Sequence, residues 1–139
     1  MIYTKLTKKA LSLAYKLHGK DFDEYNLPVI FNVFVVADKI DEEYGVCAAL
    51  LYQAVEDKKI SLNNLKKDFP FEVTDTIFIL LTDDALAYPD YIRRIKTNST
   101  ATKIKIYEIE ENIKKLKLEP KENKTKLERF KFALNILKK

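Results

Sequence analysis

The sequence predicts an all-α fold, a single compact bundle of several helices spanning residues 1–139. Three observations predict it. Chain breakers are scarce, with two glycines and four prolines in 139 residues, which favours helices joined by short loops over a strand-rich fold. Apolar residues recur at spacings of three and four along most of the chain. The composition, 47% hydrophobic and 33% charged, is that of a packed globule, and a chain of this length buries roughly 68% of its unfolded surface as one domain.

Each element follows from local signals. A first helix is expected over about Thr4 to Leu17, where Leu6, Ala10, Leu11, Ala14 and Leu17 share a face, with Gly19 as a stop signal. Asp21 to Asn26 is polar and acidic and reads as a loop. Pro28 opens the apolar run Val29 to Ala37. Its β-branched residues favour a strand by propensity alone, but Pro in a first turn favours a helix, and no second strand offers a partner. A third helix, about Glu42 to Val55, is apolar nearly all round and is therefore central. Ser61 caps a short helix through Lys67, and Pro70 separates it from a fifth over about Glu72 to Leu81. Pro89 starts a sixth, a seventh covers about Ser99 to Leu116, and a polar connector from Glu119 to Lys124 precedes the last, about Thr125 to Lys138.

The single cysteine, Cys47, sits in an apolar run and reads as a core residue. One cysteine forms no internal disulfide, which suits a reducing compartment. No apolar run approaches the roughly 20 residues of a membrane span, and the N-terminus lacks a signal-peptide pattern, so no membrane partner and a cytoplasmic location are expected. Charge is uneven. Residues 1–92 hold 10 Lys+Arg and 15 Asp+Glu, giving −5, whereas residues 93–139 hold 15 and 6, giving +9. A basic end attracts anions, but these lysines lie on amphipathic helices with acids among them, so a solvated helix face is the leading reading and anion binding the second.

Four stretches carry a resemblance. Ala10 to His18 is similar to an opening helix that ends in His. Leu27-Pro28-Val29-Ile30-Phe31-Asn32 resembles a Pro-Tyr-Ile-x-His segment. Ala48 to Asp57 resembles Ala-Ala-Leu-Leu-His-Asp-x-Val-Glu-Asp. Asn98 to Asn112 resembles a segment in which Ala101, Lys105 and Asn112 are kept. Together they resemble the HD-domain phosphohydrolases of RelA/SpoT type, and in particular their small stand-alone homologues, which remove the 3′-pyrophosphate from (p)ppGpp. The resemblance runs from about Leu6 to Leu137 and implies an HD-domain bundle. It also implies one divalent metal, usually manganese, held by His, His-Asp and a distant Asp. Those four positions are Asn32, Tyr52, Gln53 and Glu108 here.

All four ligands therefore differ. Imidazoles and carboxylates bind a transition metal well, whereas Asn and Gln offer neutral amide oxygens and a Tyr phenol is protonated near neutral pH. The family set supplies two negative charges and this one supplies Glu108 alone. The metal is also what lowers the pKa of the attacking water. The chain has one histidine, His18, so no two-His site is rebuilt elsewhere. The expected cofactor is none, the family manganese being lost. Catalytic remnants are Glu56 and Asp57, matching the family's Glu-Asp pair; the bland reading is acids near a helix C-terminus. At i, i+4, Tyr52 lies over Glu56 and Gln53 over Asp57. The remnant ligand pocket is Asn32, Tyr52, Gln53, Glu108, Asn112 and His18, with a buried structural role the simpler reading of His18 and an ordinary Lys105–Glu108 ion pair the simpler reading of Glu108. On the substrate side, Asp23 and Glu24 stand where many members carry Arg-Lys, which disfavours a polyanion. Lys20, Arg93, Arg94 and Lys105 are candidate phosphate contacts.

The leading expectation is a degenerate, non-catalytic HD-domain protein that binds an unknown protein or small molecule, with a nucleotide among the candidates. One alternative is an active, metal-dependent nucleotide or (p)ppGpp phosphohydrolase with a rearranged site using Glu56, Asp57, Glu108 and His18, where carboxylates and water hold magnesium. The other is a basic helical module that binds nucleic acid through the C-terminal third, the less favoured because no recognition motif is present.

Overall fold

The computed structural model describes residues 1–139 and contains eight α-helices. They are α1 (Lys5–His18), α2 (Val29–Asp38), α3 (Glu43–Glu56), α4 (Leu62–Lys66), α5 (Phe71–Leu80), α6 (Tyr88–Lys96), α7 (Ser99–Lys115) and α8 (Lys124–Leu137). A 3₁₀ turn, Leu116–Leu118, extends α7. There is no sheet, only an isolated bridge between Phe22 and Pro28.

The caps explain most boundaries. Thr4 and Thr7 satisfy each other's backbone N–H at the start of α1. Ser61, Asn98 and Asn123 each accept an N–H of the first turn of α4, α7 and α8. Pro28 and Pro70 stand at the entry of α2 and α5, and Pro89 lies in the first turn of α6, where a missing N–H costs nothing. Gly19 does follow α1, but in right-handed helical conformation; it is not a left-handed stop.

Helix α3 is the axis of the bundle. Nine of its residues are buried, among them Leu50 and Leu51 with no exposed surface, each contributing roughly 1.5–3 kcal/mol of burial. It packs against α1, α2, α5 and α7. The β-branched α2 is helical because Ile30, Val33, Val36 and Ala37 find a core on one face, supplied by α3 and α7; packing overrides its strand propensity. Gly45 lets α3 approach closely. A Cβ there would stand 2.7 Å from Ile40 Cγ2 and 3.0 Å from Thr100 Cγ2, at the start of α7.

The charge imbalance is partly settled within the molecule. Lys103 reaches Asp41, Lys115 reaches Asp23, and Lys126 reaches Glu24, pairing the basic end with the acidic one. The lysines were expected on a solvated face. Several also serve as long-range tethers, because the bundle lays α7 and α8 against the segments on either side of α2.

Candidate functional site

Helices α2, α3 and α7 meet beside the loop 19–28 around a cleft of about 350 Å³. Asn32 comes from α2, Gln53 from α3, and Glu108 and Asn112 from α7, one turn apart. Asp57 caps the end of α3. The loop adds Phe22, Asp23, Glu24 and Tyr25. Its shape follows from Asp23, whose Oδ1 accepts the N–H of Tyr25 and Leu27. Asn26 turns the chain at φ 60°, a left-handed conformation that Asn tolerates.

The floor of the cleft is a buried polar network. The Tyr52 hydroxyl donates to Glu108 Oε2 at 2.7 Å. The Lys105 ammonium lies 3.2 Å from the same carboxylate oxygen and donates to the Tyr52 hydroxyl at 3.2 Å. It also sits 5.2 Å from the ring centroid of Tyr52 and 5.6 Å from that of Tyr91, within cation–π range. Burial, then the Glu108 charge, push the Tyr52 phenol well above its ordinary pKa, so it stays protonated. Burial alone would lower an ammonium, but the Glu108 carboxylate beside Lys105 outweighs it, with help from Tyr52 and Tyr91, and holds Lys105 well above its usual value. The Lys105–Glu108 ion pair expected from the sequence is thus present but largely buried, with side chains 10% and 18% exposed.

The sequence-predicted residues divide in two. Asn32, Tyr52, Gln53 and Glu108 come together, and Asn112 joins them at the cleft wall. Tyr52, expected over Glu56, turns to Glu108 instead, whereas Gln53 does meet Asp57 at 2.9 Å. Glu56 leaves the site: its carboxylate accepts the backbone N–H and the hydroxyl of Thr82, fastening the loop after α5. His18 leaves it too. It is fully buried at the end of α1, with Nδ1 3.0 Å from Asp21 Oδ2 and no partner at Nε2, and it does not line the cleft. Of the candidate phosphate contacts, Arg94 is spent on the carbonyls of Ile79 and Leu81, Arg93 pairs with Asp90, Lys105 is buried, and Lys20 is not in the wall.

Sequence reasoning missed Lys115 and Lys126. Lys115 holds Asp23 at 2.9 Å. Lys126 gathers Glu119 at 3.0 Å, Tyr25 Oη at 3.3 Å and Glu24 at 3.4 Å. Asp23 and Glu24 therefore face ammonium groups of this chain. The signal for Lys115 was available, since positions 108, 112 and 115 share one helical face. Nothing local pointed to Lys126, 102 residues from Glu24.

The donor set does not fit the divalent ion of the HD hydrolases. Two of the four positions are neutral amides and the third is a phenol that donates its proton to the fourth. That fourth group, Glu108, already neutralises an ammonium. An entering dication would have to displace Lys105 from 3.2 Å and would find only neutral oxygens at the other three positions.

No protein-family description matches the sequence, and no curated protein does. Among solved structures, the chain is similar to a metazoan ortholog of SpoT, described as a protein that hydrolyzes ppGpp and plays a role in starvation responses. The likeness has a TM-score of 0.78, covers 99% of this chain and 88% of that one, and comes with 19% sequence identity. The chain therefore has the all-helical HD-domain fold of the RelA/SpoT type.

Proposed function

We propose that this protein is a degenerate HD-domain module of the cytoplasm that binds a small ligand or a partner in the α2–α3–α7 cleft, without a metal and without turning the ligand over. One observation carries the reading: the Tyr52–Glu108–Lys105 network, in which an internal ammonium takes up the only carboxylate among the four ligand positions. An HD hydrolase needs the ion to generate its nucleophile. The catalytic remnants supply no substitute, because Glu56 is fixed to Thr82 and Asp57 is an exposed group tied to Gln53.

Calorimetric titration with manganese tests the proposal, accompanied by incubation with ppGpp and manganese and assay for released pyrophosphate. Neither binding nor release is expected. A dissociation constant tighter than about 10 μM, roughly −7 kcal/mol, or manganese-dependent release, overturns it.

A further inference from the structure

Two helix faces far from the cleft are left without partners inside the molecule. Helix α5 buries Val73, Thr74, Thr76, Ile77 and Leu80. Its outward stripe, Phe71, Glu72, Asp75 and Phe78, recurs at helical spacing. Phe71 is 71% exposed and Phe78 is 55% exposed. Two phenyl rings on one solvent stripe form a patch, unlike apolar residues scattered singly over a surface. Arg94 stacks 5.9 Å from the Phe78 centroid and still leaves more than half of that residue open. The stripe carries two carboxylates and no cation. Acids beyond its two ends, Asp68 and Asp83, are taken by Lys9 and Arg94, whereas Glu72 and Asp75 are in no ion pair.

Helix α8 carries the opposite charge. It buries Ala133 and Leu137 and leaves Lys124, Glu128, Lys131, Phe132, Asn135 and Lys139 exposed. Lys126 is paired with Glu24 and Glu119, and Lys138 with Glu110. Lys124, Lys131 and Lys139 have no carboxylate partner, and Glu128 is the one acid of the helix. Phe132, 42% exposed, stands among them. The two stripes are not each other's partners within one molecule, because α5 packs mainly on α3, α4 and α7, and α8 on α6 and α7.

We infer that the α5 stripe of one copy docks on the α8 stripe of a second copy, joining this protein head to tail. Charge complementarity assigns the occupant. What stays unpaired on α5 is negative, what stays unpaired on α8 is positive, and each stripe presents exposed phenyl surface. A symmetric contact through either stripe would set carboxylate against carboxylate or ammonium against ammonium, which costs affinity. The spacing agrees. Phe71 and Phe78 are seven residues apart, about 10.5 Å along the axis, a gap that admits the Phe132 ring and brings Lys131 beside it to Asp75. The open ring faces attract the flanking ammonium groups as well. Because the two sides of the contact differ, it extends from copy to copy or closes into a ring. The contact lies outside the α2–α3–α7 cleft, so it stands or falls independently of what the cleft holds.

The test is sedimentation velocity on the whole protein from about 10 μM to about 1 mM, at about 0.05 M and about 0.5 M salt. The mass should rise with concentration at low salt and fall back toward the monomer at high salt. Phe71→Ser and Lys131→Glu, both at exposed positions, should each weaken association about tenfold or more with the thermal melt unchanged. Glu128→Lys, which removes the lone acid from the basic stripe, should strengthen it. An equimolar mixture of the Phe71→Ser and Lys131→Glu proteins, at a concentration where neither associates alone, joins the intact α5 stripe of one to the intact α8 stripe of the other. Its mass should stop at two copies. A monomer at every concentration overturns the inference. So does association that survives Lys131→Glu, which would be a contact without the α8 stripe, and so does growth of the mixture beyond two copies. Release of monomer by an equimolar single-stranded oligonucleotide also overturns it, assigning the α8 stripe to nucleic acid instead.

Discussion

Replacing Glu108 by Gln removes one charge from the cleft floor and leaves the outline of the side chain unchanged. The amide oxygen still accepts from Tyr52, so the loss is the counter-charge of Lys105, 3.2 Å away and mostly buried. At an effective dielectric of about 20, two unit charges at that distance attract by about 5 kcal/mol. Removing the largely desolvated carboxylate returns part of this, so a net loss of about 3 kcal/mol is expected, at the low end for one partner of a buried pair. Total stability for such a domain is about 5–15 kcal/mol, so urea unfolding followed by circular dichroism near neutral pH resolves the change easily. Lys105→Met combined with Glu108→Gln should cost clearly less than the two single changes added together, because the double variant leaves no stranded charge. The pH dependence has a definite sign. Lys105 is held above its ordinary value of 10.5 in the folded state, so the stability it contributes is fully present below that value and is lost as pH rises through the folded one. The gap between wild type and Glu108→Gln should therefore narrow in strong alkali. A cost under about 0.5 kcal/mol with strictly additive single changes would refute the reasoning, for it would mean a solvent-screened pair.

Two further outcomes are expected. Gly45→Ala should destabilise the protein by about 1–3 kcal/mol by overpacking, despite the better helix propensity of Ala, because the added carbon meets Ile40, Glu42 and Thr100 at 2.7–3.0 Å; a gain in stability by urea unfolding would disprove the close approach. Asp21 is held below its ordinary value of 3.8 by hydrogen bonds from Lys59 and then His18, so its contribution is present above that value and lost as pH falls through the folded one. The difference in urea midpoint between wild type and Asp21→Asn should shrink in acid, and a gap that stays constant from about pH 6 to about pH 2.5 would contradict the shift.

Most of the fold could be read from the sequence because its signals are local. Thr4, Ser61 and Asn98 cap where capping residues should, and the apolar face of α1 has the period of a helix. Even α2, with Val, Ile and Phe in a row, is resolved by the proline before it. The site was legible only in part. Aligned motifs bring Asn32, Tyr52, Gln53 and Glu108 together, since a shared scaffold keeps those positions adjacent whatever they carry. Partners are another matter. That Glu56 turns away to Thr82 and that Lys105 lies buried against Tyr52 and Tyr91 depend on which elements pack together, and no spacing in the chain encodes that. Cys47 illustrates the opposite case: an apolar run predicts burial directly, and burial pushes its thiol up to about 12, far from any reactive range.

Lys126 binds the rim of the cleft from outside it. Its ammonium, on the first turn of α8, fastens Glu24 and Tyr25 without lending an atom to the lining. The tail of the chain thus acts as a clasp on a doorway formed near its head. Drift in the final helix can reshape the rim of the cleft while every lining residue stays the same. Comparing relatives by their pocket residues alone would overlook that source of divergence, and removing α8 from this protein would also unfasten the rim of the cleft.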